Sequence, residues 1–386
     1  MTNTSKHICQ ISKDSSLLNG NKMSEPYLRQ SSYLRTLKEN SGQDAKISIL
    51  VLTRNSKQIS IFDNGLHIVS FPSSFWFRIL GIFFTIYKIH KSTPISVLTT
   101  QTPFDEAWTT LLFGRIYKIP VIAQIHFDIF NNEAIKQILG EGARGKIRFF
   151  LFKKTVKFYN KIRVVGNGIR EKLVEQCSCT PDQIILLPVM VPLLRNQAKF
   201  SRIEKIDKPF RILYVGRLVR QKNLFFLLKV AADSLLENKS LLFDIVGSGP
   251  LKKELENECL RLNIHNNVIF HDEIPNQDLS KFYLNADIFI LTSFYEGFGR
   301  VIIEAGAHGL PVLCTRVTGP EDIIKDKHNG YLFELNDKKG FVEKIIWLKN
   351  NPGERIAMGL NNYNLVYERY SPDVLKNKWI NLLLMN

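Results

Sequence analysis

No run in this sequence approaches 18 uncharged apolar residues, so none of it reads as a membrane-crossing helix. Its start, MTNTSKHICQISKD, lacks the apolar stretch of a secretory leader. A cytoplasmic location is therefore expected. Cysteine is scarce: Cys9, Cys177, Cys179, Cys259 and Cys314 show no paired C-x-x-C spacing, which fits reduced thiols better than a disulfide frame or a zinc site. No Asp-x-Asp triplet occurs, so no acidic pair of that spacing offers itself to a divalent ion. Acidic residues are also short in one half. Residues 1–200 hold 27 Lys+Arg against 13 Asp+Glu, whereas residues 201–386 hold 25 against 23. A basic half attracts the phosphates of nucleic acid, an anionic membrane surface or an anionic acceptor. No recognised nucleic-acid motif accompanies the charge, which counts against a nucleic-acid binder.

What is present is enough for two cores, since 386 residues at 45% apolar content exceed the size at which single domains stop growing. The chain is organised around Ala286 to Ile324, ADIFILTSFYEGFGRVIIEAGAHGLPVLCTRVTGPEDII. An apolar, β-prone run, Asp287 to Leu291, leads into a turn holding Glu296, Gly297 and Gly299, and then into a helical pattern from Arg300 to His308. Gly309 and Pro311 stop that helix, and a second apolar run, Pro311 to Cys314, follows. This is a βαβ unit and implies a parallel sheet. The unpaired N–H groups at the helix start, and the positive end of its dipole, suit an anion such as a diphosphate. Glu296 and Glu304, eight positions apart, can face one cleft at the strand ends. The spacing alone is equally compatible with turn glycines and a solvated helix glutamate.

The segment SFYEGFGRVIIEAGAHGLPV resembles the glutamate-x7-glutamate signature of the retaining, family 4 glycosyltransferases of GT-B type, also called glycosyl transferases group 1. YVGRLVRQKNL, from Tyr214, and DIVGSGP, from Asp244, support it in the expected order. The resemblance implies an α/β fold of two Rossmann-like doubly wound domains facing a central cleft. It places an acceptor domain over 1–200, a nucleotide-sugar domain over 201–370, and a terminal helix over 371–386 that crosses back to the first domain. It implies that Arg217 and Lys222 clamp the diphosphate, one as a planar fork and the other as a mobile point charge. It also implies that Glu296 holds the sugar hydroxyls, that Glu304 holds the ribose, and that Gly247, Gly249, Phe298, Gly299 and Arg300 help bind the donor. No cofactor and no metal is implied; the nucleotide sugar is a substrate.

In the first half, strand and helix alternate from HICQIS, His7 to Ser12, onward. His126 stands at the end of the strand PVIAQIHF, where open sheets place ligand groups, and the resemblance implies that it reaches the donor sugar. Asp128 is a second candidate beside it. Residues 144–163, RGKIRFFLFKKTVKFYNKIR, carry eight basic and no acidic residues among aromatics and read as a basic amphipathic helix. Such a helix suits an anionic bilayer surface, or packs its aromatic side on a sheet. A charged stretch, Asn196 to Pro209, reads as the linker. The expectation is a hexosyl transferase that moves sugar from a nucleotide diphosphate sugar to a glycan or lipid-linked acceptor, peripheral on the cytoplasmic face of a membrane. A sugar-nucleotide epimerase of the same architecture is the rival reading.

Overall fold

The computed structural model describes residues 6–22, 24–53, 59–72, 78–140, 142–191 and 208–385. The linker expected over 196–209 lies, apart from its last two residues, outside them. The chain forms two compact units, Met1–Pro188 with Asp373–Asn386, and Val189–Pro372. The first unit thus ends near residue 188 rather than 200 and takes in the terminal helix, Pro372–Leu384.

The first unit's strands are β1 (His7–Ser12), β2 (Lys46–Thr53), β3 (Ser60–Asp63), β4 (Leu66–Pro72), β5 (Val97–Thr100), β6 (Val121–Ile125), β7 (Lys161–Val164) and β8 (Ile184–Leu186). Among the described residues they form one sheet in the order β3-β4-β2-β1-β5-β6-β7-β8. All neighbours run parallel except the edge pair β3 and β4. Helices cover the faces of such a sheet, which is why strands such as β1 and β6 are buried throughout. The hairpin between β3 and β4 turns at Asn64 and Gly65, both with positive φ (46° and 97°), as a two-residue hairpin turn demands.

The stretch over 144–163 is not one helix. It is the helix Ala143–Thr155, a 3-10 turn Val156–Phe158, and then β7. Its aromatics split accordingly: Phe152 is buried and packs near Phe104, whereas Phe150 and Phe158 are exposed. Arg163, on β7, is 5% exposed. It donates to the carbonyls of Leu187 (2.9 Å) and Pro188 (2.7 Å) and to Gln124 Oε1 (3.1 Å). Its guanidinium lies 4.8 Å from the ring of Trp379 on the terminal helix, whose ring also meets Tyr33. A buried cation is retained here because three oxygens accept from its fork and the Trp379 ring lies against it.

The second unit's strands are β9 (Phe210–Val215), β10 (Leu241–Val246), β11 (Val268–His271), β12 (Ile288–Leu291), β13 (Val312–Thr315) and β14 (Gly330–Phe333). They form an all-parallel sheet in the order β11-β10-β9-β12-β13-β14. The order reverses between β9 and β12. Both units are doubly wound α/β sheets.

Candidate active site

Open parallel sheets gather ligands outside the carboxyl ends of their strands, where the order reverses. In the second unit two loops leave that place. One follows β9 through Arg217 to a 3-10 turn, Arg220–Lys222; the other follows β12 as far as Gly299 and the helix Arg300–Ala307. The loops are stitched together. Phe294 N–H donates to Gln221 O (2.9 Å), Gln221 Nε2 to Tyr295 O (2.9 Å), and Thr292 Oγ1 to Lys222 O (3.0 Å). This stitching brings Lys222 Nζ to 2.5 Å from Glu296 Oε1, and Ser293 Oγ donates to the same oxygen at 2.6 Å. The lysine and glutamate side chains are 12% and 9% exposed, so this ion pair is largely out of water.

Arg217 stands beside that pair but is exposed, reaching Gln221 Oε1 at 3.5 Å. Both charges are felt by Tyr214 of β9, whose hydroxyl donates to Arg217 O (3.1 Å). Burial holds this phenol well above its ordinary range, Glu296 pushes it higher, and Arg217 opposes the rise. The turns after β9 and β10 meet backbone to backbone. Gly247 has φ 141°, and a Cβ there would stand 2.0 Å from Gly216 O; one on Gly249 would stand 2.4 Å from Leu218 O. The turns after β9 and β10 can meet this closely only without side chains.

Gly299, at φ 91°, caps the helix Arg300–Ala307 and leaves the first N–H groups facing out along its axis. Phe298 contributes differently from the expectation. Its side chain is 4% exposed and its ring packs 5.8 Å from that of Tyr370, so it shapes the turn from within and can offer a ligand only its backbone. Arg300 opens the helix, half-buried. Glu304, also half-buried, accepts from the Tyr283 hydroxyl at 2.8 Å. Tyr283 stacks on His308, with ring centroids 5.0 Å apart. Burial, and then the Glu304 charge, holds the Tyr283 hydroxyl well above its ordinary range, with Arg300 opposing. The two glutamates of the signature therefore have different partners: Glu296 a cation and a serine, Glu304 a tyrosine.

In the first unit His126 follows β6, half-buried. Burial, with Arg163 and Arg29 adding positive charge nearby, lowers its imidazole from 6.5 to about 3. It is an uncharged ring at neutral pH, able to donate from one nitrogen and accept at the other. Asp128 is committed locally, accepting from Phe130 N–H (3.0 Å) and Lys172 Nζ (3.2 Å). Lys13, on the loop after β1, pairs with the buried Glu106.

A family model described as Glycosyl transferases group 1 matches residues 196–365. A glycosyltransferase of Methanocaldococcus jannaschii is 33% identical over 176 residues, which are 46% of this chain and 45% of that protein. A UDP-Gal:alpha-D-GlcNAc-diphosphoundecaprenol alpha-1,3-galactosyltransferase of Escherichia coli is 31% identical over 281 residues, 68% of each chain. The chain belongs to the group 1 glycosyltransferases. Among solved structures, the apo form of the lipopolysaccharide outer core galactosyltransferase WaaB superposes with a TM-score of 0.73 at 18% identity, covering 98% of this chain and 99% of that one. The fold of this glycosyltransferase is the GT-B fold.

Sequence reasoning missed several side chains around this glycosyltransferase's site. Ser293 and Gln221 orient the Glu296 and Lys222 pair, yet as small or neutral polar residues in turns they carry no signal in one sequence. Tyr283 lies on the helix Asn276–Asn285, 21 positions before Glu304, and its helical spacing reads only as core.

Proposed function

We propose that this glycosyltransferase moves a hexosyl unit from a uridine diphosphate sugar to a lipid-linked glycan acceptor, with retention at the anomeric carbon, in the assembly of a cell-surface polysaccharide. The observation that carries the reading is the largely buried Lys222 and Glu296 pair, joining the loops after β9 and β12 where the strand order reverses, with exposed Arg217 on the first of those loops. The diphosphate rests on the N-terminal end of the helix Arg300–Ala307 and against Arg217, which forks two of its oxygens. Lys222 shares its charge between Glu296 and the diphosphate, and this shared charge grows in effect as the sugar bond breaks. Glu296 accepts from sugar hydroxyls and Glu304 from the ribose. The acceptor hydroxyl attacks the face the diphosphate leaves; its proton passes to the departing phosphate oxygen as the bond to that oxygen breaks.

His126, kept neutral, hydrogen-bonds the acceptor or sugar without acting as an acid. Two cations at the diphosphate make a divalent ion unnecessary, and the turnover is metal-independent. The donor and acceptor classes follow the name of the Escherichia coli relative, a UDP-Gal enzyme acting on a diphosphoundecaprenol-linked sugar. Among the described residues no helix is long and apolar enough to cross a membrane, and the first unit's basic face meets the acceptor's bilayer from the cytoplasmic side.

The test is transfer from a panel of uridine diphosphate sugars to a polyprenyl diphosphate-linked N-acetylhexosamine, with the product's anomeric coupling read by NMR and EDTA in a parallel arm. An inverted product, activity abolished by EDTA and restored by magnesium, or thermal stabilisation by no uridine nucleotide at all would overturn this reading.

A further inference from the structure

The first unit has a groove of about 620 Å³ that the transfer reaction does not use, within the roughly 300–1,000 Å³ of small-molecule sites. It is lined by Trp108, Leu111, Leu112, Ile119, Val121 and Phe158, with Arg115 and Lys118 among its lining residues. Val121 begins β6, whereas His126 follows the carboxyl end of that strand; the groove lies at the opposite end of the sheet from the catalytic side.

Its apolar side chains are not satisfied by the protein. Leu112 is 52% and Phe158 63% exposed, and along the same helix, Asp105–Tyr117, Ile116 is 55% exposed. The neighbouring helix Arg78–Ser92, joined to it by ring contacts of Phe83 with Phe113 and Tyr87 with Tyr117, exposes Leu80 and Phe84 as well. The surrounding charge has one sign. Residues 107–127 and 142–170 contain no Asp or Glu, and no carboxylate among the described residues pairs with Arg115, Lys118, Lys154 or Lys157. Lys154 and Lys157 instead lie over the exposed rings of Phe150 and Phe158, so their heads stay beside apolar surface.

We propose that this groove takes an acyl chain of an anionic bilayer phospholipid, with the phosphate of that lipid held by Arg115 and Lys118. The inference rests on the membrane-surface part of the proposed function and sharpens it: the chain is not merely attracted to the headgroups but withdraws one lipid tail into the protein. An apolar slot with unpaired cations is complementary to a molecule that is apolar at one end and anionic at the other, and to neither a soluble sugar nor a nucleic acid. The contact fixes the first unit on the bilayer by its edge remote from the site.

The test uses the full chain with vesicles of phosphatidylcholine containing phosphatidylglycerol whose acyl chains are brominated. It reads no sugar transfer, so its failure is separate from failure of the transferase reading. Bromine quenches indole only at contact range, and Trp108 is the tryptophan of the groove. Expected are quenching of tryptophan fluorescence, loss of most of that quenching in Trp108→Phe with sedimentation unchanged, and loss of about 25-fold in partitioning for Arg115→Gln with Lys118→Gln, roughly fivefold per cation. Leu112→Ser with Phe158→Ser lowers partitioning by at least about tenfold. These side chains are exposed, and circular dichroism confirms that the variants are folded. Vesicle capture without Trp108 quenching, equal quenching by brominated phosphatidylcholine alone, or quenching that requires a polyprenyl diphosphate in place of phosphatidylglycerol would each overturn the proposal.

Discussion

Lys222→Met isolates the ion pair at the centre of the site. Methionine keeps the length and apolar stem of lysine but leaves the Glu296 carboxylate, 9% exposed, with Ser293 as its remaining hydrogen-bond donor. Removing one partner of a buried pair costs about 3–5 kcal/mol, because the other charge stays desolvated. The pair here is not fully dry, so the lower end applies, about 3 kcal/mol. For a unit of this size each kcal/mol moves the melting temperature by about 2–4 °C, which gives a drop of about 6–12 °C. The double variant Lys222→Met with Glu296→Gln removes both charges, and the amide oxygen still accepts from Ser293. It recovers at least about half of the lost stability, since a neutral pair carries no buried charge. Sugar transfer does not return. Calorimetry resolves the second unit's transition, and amide exchange along β9 and β12 assigns it. If the single variant melts with the parent, or the double melts no higher than the single, the pair is not the strut described here.

Arg217→Ala, on an exposed side chain, leaves the melting temperature unchanged and lowers turnover by about 10² to 10³, the loss typical of one preorganised donor; unchanged turnover in single-turnover kinetics removes Arg217 from the site. Glu296→Gln loses transfer while still binding uridine diphosphate, whereas Glu304→Gln weakens nucleotide binding more than turnover, because ribose contacts act about equally in ground and transition states. Paired titrations and transfer rates that fail to distinguish the two variants contradict that division. His126 predicts an acid-sensitive fold. Its pKa is about 3 folded against an ordinary 6.5, so the unfolded chain takes the proton first. The stabilisation is complete above pH 6.5 and falls by about 1.4 kcal/mol per unit as pH drops toward 3, with buried His7 acting in the same direction. His126→Gln should therefore lose less stability than the parent between pH 7.5 and pH 5 in urea unfolding; equal losses refute the assignment.

The second unit was largely legible in the sequence, since its central strand, turn and helix are local signals. The expected strand Asp287 to Leu291 is Ile288–Leu291, and the expected helix from Arg300 to His308 is Arg300–Ala307. The hairpin of β3 and β4 carries a local signal of its own, since Asn64-Gly65 sits between runs of alternating burial. Over 144–163 charge and aromatic content read as one amphipathic helix, and the helix holds only over Ala143–Thr155; Arg163, on the strand that follows, is held in the interior by Gln124, Leu187, Pro188 and Trp379, none of them near it in sequence. The pairing of Lys222 with Glu296 spans 74 positions and depends on β9 lying next to β12. Only the three-dimensional order of strands supplies it.

The terminal helix has a consequence for synthesis. The first unit is made of the first 188 residues and of the segment from Asp373 onward, with the whole second unit translated in between. At roughly 5–20 residues per second, the ribosome takes on the order of 10–40 s to cover that interval. During it, the surfaces around Tyr33 and Arg163 wait without Trp379, while the second unit, contiguous in the message, emerges whole and can close first. Maturation of this polypeptide therefore runs against the order of its gene, and a premature stop a dozen codons before the end spares the second unit while leaving the earlier-made one unfinished.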